Sequence, residues 1–133
     1  KLSPELRNEA LYYRAKAYTK QKAGKKAMED YRELAKDTRN PYGAEAKYQV
    51  AQSLYDAKEY AAAEKELLNY IEQSTPHAYW LARSFILLSD VYHATGKDLD
   101  ARQYLLSLQQ NYQGNDDIES MIESRLSKLK VEN

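Results

Sequence analysis

The chain has 133 residues, room for one compact domain or a short array. Its 20 basic and 20 acidic side chains cancel, which argues against the salt-sensitive phosphate attraction of a nucleic-acid binder. With no cysteine there are neither disulfides nor thiolate metal sites, and with four Gly and three Pro little of the chain is loop.

The first element is signalled by Ser3-Pro4, a capping hydroxyl followed by a residue whose missing N–H costs nothing in the first helical turn. It predicts a helix over 4–22, with Leu11, Ala15 and Tyr18 on one stripe, a break at Gly24, and a second helix over 25–38 carrying Ala27, Tyr31 and Leu34. Asn40-Pro41 starts the next pair. Val50 and Leu54 mark a helix at 41–57, Lys58-Glu59 a break, and Ala63, Leu67 and Ile71 a helix at 60–73. Thr75-Pro76 starts the third, with Phe85, Leu88 and Tyr92 on a helix at 76–95, Gly96 at the turn, and Ala101, Leu105 and Leu108 on a helix at 98–112. A seventh segment, 116–130, aligns Ile118, Met121, Ile122, Leu126 and Leu129, with Arg125 among them and acidic residues opening it. Phe85-Ile86-Leu87-Leu88 is the longest plainly aliphatic run, far below the roughly 20 residues of a membrane span. No signal peptide is visible. The chain opens on Lys1 rather than Met, so a processed form or an excised piece is expected.

The units recur in step. The prolines stand 37 and 35 residues apart. The small residues Ala15, Ala51 and Ser89 stand 36 and 38 apart, as do Ala27, Ala63 and Ala101. Small side chains suit the points where two helices cross most closely.

The third unit reads Phe85-x-x-Leu88-Ser89-x-x-Tyr92, then Ala101-x-x-x-Leu105. The second reads Lys47-x-x-Val50-Ala51-x-x-Leu54 and Ala63-x-x-x-Leu67; the first reads Leu11-x-x-Arg14-Ala15-x-x-Tyr18 and Ala27-x-x-x-Tyr31. This resembles the tetratricopeptide repeat: an aromatic, two residues, Leu-Gly, two residues and Tyr, then Ala, three residues and Phe. The units exceed the usual 34 residues by two to four, and Arg14 and Lys47 replace the usual Leu and aromatic. The resemblance implies an all-α fold, a right-handed α-α superhelix of three hairpins at 4–39, 40–74 and 75–114 with a capping helix at 115–130. Asn40-Pro41-Tyr42-Gly43-Ala44-Glu45-Ala46 and Leu106-Ser107-Leu108-Gln109-Gln110-Asn111-Tyr112 are similar to segments of bacterial cell-envelope members, which implies a periplasmic or envelope location.

Arrays of this family use the first helix of each hairpin to line a groove that holds another protein or peptide. The matching groove positions are Glu9, Tyr12, Lys16, Thr19 and Lys20; Glu45, Tyr48, Gln52, Tyr55 and Asp56; and Arg83, Ile86, Asp90 and His93. Tyr12, Tyr48 and Tyr55 suit contact because a phenol ring is large, rigid and tipped with a polar group; filling space between hairpins is the other reading. The positions that clamp a peptide carboxylate in chaperone-binding members hold Tyr12, Lys16, Gln49, Arg83 and Leu87, so that specialisation is not expected.

Chemistry beyond binding has little support. His77 and His93 are the only histidines, and Asp90-x-x-His93 is half of a metal site at most, more simply a polar pair. No HExxH, phosphate-binding Gly-rich loop or nucleophile elbow is present, so no catalytic residue, metal or cofactor is expected. Residues 1–40 carry 11 basic and 6 acidic side chains, and Lys20, Lys22, Lys25 and Lys26 cluster on the first turn, most simply a solvated one. Two functions remain: an adaptor whose groove holds a partner segment, and a structural spacer at the C-terminal end of a longer solenoid. Since no lid precedes Pro4, the outer side of the first hairpin is expected to be polar, with Arg14 contributing, or bare for want of upstream repeats.

Overall fold

The computed structural model describes residues 3–73 and 75–129. They form seven α-helices and no strand: α1 Pro4–Lys20, α2 Gly24–Leu34, α3 Pro41–Asp56, α4 Tyr60–Glu72, α5 Ala78–Ala94, α6 Asp98–Asn111 and α7 Ile118–Leu126. The fold is all-α. Each helix packs on the next through α6, and α1, α3, α5 and α7 also touch in series, while α7 lies on both α5 and α6. No described helix is long and apolar enough to cross a membrane.

The starts of α1 and α3 follow from their caps. Ser3 Oγ accepts from Leu6 N at 3.3 Å, and Asn40 Oδ1 accepts from Gly43 N at 2.7 Å, each just before a proline. Thr75-Pro76 does not repeat this. Its hydroxyl donates to Thr38 O (3.0 Å) and accepts from His77 N (3.3 Å), so α5 begins two residues late at Ala78 with no side-chain cap. Thr38 in turn donates to Gln73 Oε1 at 2.7 Å, and His77 Nε2 lies 2.7 Å from Arg39 O. The threonine ties two inter-hairpin loops together rather than starting a helix.

The turns inside the hairpins are three copies of one structure. Among the described residues, Lys22 (φ 59°), Lys58 (φ 63°) and Gly96 (φ 80°) have left-handed backbone. At each, the following N–H reaches back to the carbonyl five residues earlier: Ala23 to Tyr18, Glu59 to Leu54, Lys97 to Tyr92. The left-handed residue itself donates three residues back, to Thr19, Tyr55 and His93. This is the Schellman closure of a helix end. The first break therefore lies at Lys22; Gly24 opens α2 instead.

α2 stops at Leu34 rather than 38. Asp37 O accepts from Asn40 Nδ2 at 3.0 Å, and a Cβ on Gly43 would fall 1.8 Å from that same carbonyl. Glycine is what lets the end of one hairpin sit against the start of the next.

Three apolar clusters follow one another along the chain. Ala15, Ala27, Tyr31, Leu34, Ala46 and Val50 form the first; Ala51, Ala63, Leu67, Leu87, Leu88 and Ala101 lie in the second. Ile118 and Ile122 of α7 join Ala82, Ile86, Leu105 and Leu108 in the third. The six small residues of the repeat register, Ala15, Ala27, Ala51, Ala63, Ser89 and Ala101, are all buried. α7 is shorter than 116–130: Asp116 Oδ1 accepts from Ile118 N ahead of it, Lys128 lies in the turn after it, and Lys130 lies outside the described residues.

Candidate functional site

The first helices present a row of polar and tyrosine side chains, and most of the row is already paired from one helix to the next. Between α1 and α3, Tyr12 Oη donates to Glu45 Oε1 at 2.8 Å and Lys16 Nζ lies 3.0 Å from Glu45 Oε2. Glu45 is buried, so its charge needs these partners. Burial, then the bond to Glu45, raises the Tyr12 phenol above its ordinary value. Tyr42 packs on Tyr12 with ring centroids 4.6 Å apart.

Between α3 and α5, Arg83 Nη2 donates to Tyr48 Oη at 3.0 Å while its guanidinium lies 4.9 Å from the ring centroid. Tyr48 donates to Gln52 Oε1 (2.8 Å), and Gln52 Nε2 donates to Asp56 Oδ1 (2.9 Å). Arg83 Nη1 also donates to Tyr79 Oη (2.9 Å), which donates to Asp117 Oδ1 ahead of α7 (3.0 Å). Burial opposes the arginine charge most, yet its bonds to Tyr79 and Tyr48 carry its pKa upward. Between α5 and α7, Arg125 holds Asp90 through two hydrogen bonds of 2.9 and 3.1 Å.

Several residues placed on the groove by the sequence are positioned differently. Tyr48 is only 6% exposed and belongs to the core cluster, its ring flanked by Trp80 at 5.6 Å; it is not an open contact ring. Ile86 is buried in the third cluster, because its helix packs on α6 and α7 at that level. Asp90 and His93 do not act together: Asp90 serves Arg125, and His93 Nδ1 lies 2.7 Å from Asp98 Oδ1. No group of three or more His, Cys, Asp or Glu among the described residues is placed to hold a metal. Lys16 and Arg83, the two cations at clamp-like positions, are engaged with Glu45 and with Tyr48 and Tyr79. Tyr12 is half-buried; Glu9, Thr19, Lys20 and Asp56 are exposed. Thr19 turns its hydroxyl back to Ala15 O at 2.9 Å.

What stays open is a recess at the far end of the row. Tyr55, Asp90, His93, Arg125, Lys128 and Leu129 are among the residues around it, and its volume is about 290 Å³. Tyr55 stands half-buried on its rim, edge-on to Tyr60 at 5.6 Å. The wall thus offers an aromatic ring, aliphatic carbon and charges of both signs. That composition suits a peptide segment with mixed side chains. Arg125 and Leu129 enter the recess from α7 and the turn after it, a contribution that the repeat register does not give. One signal did mark it: Arg125 is the only charge on the apolar stripe of that segment, and a charge there needs a partner.

A scan of the chain against protein-family models finds no match, and a search of curated proteins finds none either.

Proposed function

We propose that this chain is a tetratricopeptide-type array, three hairpins in a right-handed superhelix closed by α7, and that it binds an extended or helical segment of another protein along its first helices. The observation that carries the reading is the recess beside Tyr55, where α3, α5 and the α7 end meet and leave space walled by an aromatic, apolar groups and charges. In support, the hairpin turns at Lys22, Lys58 and Gly96 recur at 36 and 38 residues, matching the spacing of the buried small residues. The chain works by holding a partner, with no catalytic group or cofactor in this reading. Its setting is a bacterial envelope, by the similarity of residues 40–46 and 106–112 to envelope members of the family.

A photo-reactive phenylalanine analogue placed at Tyr55 tests this. In lysate of the native organism it should capture a defined partner segment, while the same group at the exposed Gln103 on α6 should not. Equal capture at both positions, or none at Tyr55, would sink the adaptor reading. One observation favours the second reading, a structural spacer. Lys16, Glu45, Tyr48, Arg83, Asp90 and Arg125 spend their polar groups on each other, which is how a row would look if it needed only its neighbours.

A further inference from the structure

The outward face of α1 carries an apolar stripe. Leu6 is 53% and Tyr13 61% exposed, and the exposed alanines Ala10 and Ala17 lie with them at spacings of four, three and four. Corresponding positions lie 36 and then 38 residues on: on α5 those of Ala10, Tyr13 and Ala17 are buried, while on α3 Ala46 is buried, Gln49 half-buried and Ser53 exposed. Ala46 and Ser84 match Ala10 and are fully buried; Leu87 matches Tyr13 and Val91 matches Ala17, each 2% exposed. The face is therefore one that α5 packs away in full and α3 only at Ala46.

We propose that a second copy of the chain covers it, α1 against α1 of the other copy, antiparallel about a twofold axis. The side chains of α1 complement themselves in that arrangement and not in the parallel one. Antiparallel, the large Leu6 meets the small Ala17 of the second copy, and Tyr13 meets Ala10, each pairing made twice. Parallel, Tyr13 would meet Tyr13 and leave the alanines facing each other. The charges agree. Glu5, Glu9, Lys16 and Lys20 lie along one edge of the stripe, acidic toward the start and basic toward the end. Lys16 is held by Glu45 of its own copy, but reversing the second helix sets Glu5 beside Lys20, two attractive pairs across the dyad. Arg7 and Arg14 line the other edge. Their like charges are already answered within each copy, Arg14 by two bonds to Asp30 of 2.8 and 2.6 Å and Arg7 by Glu33 at 3.5 Å. The dimer brings the two binding rows to either side of one axis.

Sedimentation equilibrium of the purified chain, from about 10 μM to about 1 mM, reads the proposal directly. A reversible dimer that weakens as salt rises is expected. Tyr13→Lys, at a position open to solvent, should abolish the dimer while leaving helical circular dichroism unchanged, and Ala10→Arg should do the same. Glu5→Lys and Lys20→Glu should each weaken association several-fold, and the two together should restore most of it. A monomer at every concentration overturns the proposal and leaves the face to another protein's helix. A dimer indifferent to Tyr13→Lys and Ala10→Arg overturns it too, and charge reversals that fail to compensate overturn the antiparallel pairing.

Discussion

Arg125 and Asp90 are joined by parallel hydrogen bonds, Nε to Oδ1 at 2.9 Å and Nη2 to Oδ2 at 3.1 Å, across 35 residues of sequence. Both side chains are less than a third exposed, and the planar fork fixes how α7 is rotated on α5. Asp90→Ala should cost about 1–2 kcal/mol in urea unfolding, since it strands the guanidinium while leaving the apolar contacts of α7 intact. Deleting residues 116–133 should cost far more. Ile118 and Ile122 are almost wholly buried, and burial of two such side chains contributes about 3–6 kcal/mol. A truncated chain that unfolds at the parental midpoint and binds no hydrophobic dye would show that α7 does not close the array.

Two positions are strained by chirality. Lys22 and Lys58 adopt left-handed backbone, where the side chain of an L-residue crowds the following carbonyl, and the third turn puts glycine there. Lys22→Gly and Lys58→Gly should each stabilise by about 0.5–1 kcal/mol, the relief of strain outweighing the entropy of the unfolded glycine. Thermal melts of the two variants and of their combination measure it.

Gly43→Ala should destabilise by about 3 kcal/mol, because the added methyl meets the backbone of Asp37, which cannot move aside as a side chain would. Ala63→Leu and Ala101→Leu, at fully buried helix crossings, should cost about 1–3 kcal/mol. Gly24→Ala is the control. Nothing lies within 4 Å of where an added Cβ would stand, and the variant's melting temperature should rise slightly or hold.

Tyr48 and Tyr55 should separate cleanly. Tyr48→Ala removes a buried ring and the partner of Arg83, so a loss of about 3 kcal/mol is expected. Tyr55→Ala should change stability by much less and instead weaken capture of a partner, by about 2 kcal/mol if it anchors the segment. Equal melting losses for both would mean that Tyr55 is core as well.

The phenols predict an alkaline limit. Burial is the main cause that raises Tyr31, Tyr48, Tyr70 and Tyr92, and burial with the Asp116 bond pushes Tyr112 up to about 12. In the unfolded chain these groups ionise near pH 10. Above that pH the unfolded chain releases protons that the folded chain retains, so the contribution is complete below about pH 10 and is lost between about pH 10 and 12. Urea midpoints at about pH 8 and about pH 11, with phenolate absorbance followed in parallel, test the sign.

Much of the architecture was legible because it is local. Stripes of three and four, proline starts and the two registers of small residues place all seven helices to within a few residues at most ends. The misreadings come from side chains whose partners lie one hairpin away. Thr75 has the chemistry of a cap, but Thr38 takes its hydroxyl. Gly24 looks like the break of the first hairpin, but the hydrogen-bond register places the turn at Lys22. Tyr48 and Tyr55 sit two turns apart on the same helix, and only Trp80 and Arg83 of the next hairpin decide that the first is covered. Asp90 similarly had an apparent partner in His93, one turn away, and a stronger one on α7.

Every described helix touches only helices one or two places along from it. Mechanically, such a molecule is a ladder of springs in series: a pull on one end reaches the other only through each junction in turn, and the softest junction takes most of the extension. α1 fully buries fewer residues than any other described helix, Ala15 alone, and is the expected soft junction. Under load it should peel away first and re-zip first, lengthening the molecule by a discrete step while the hairpins beyond it, and the recess beside Tyr55, keep their shape.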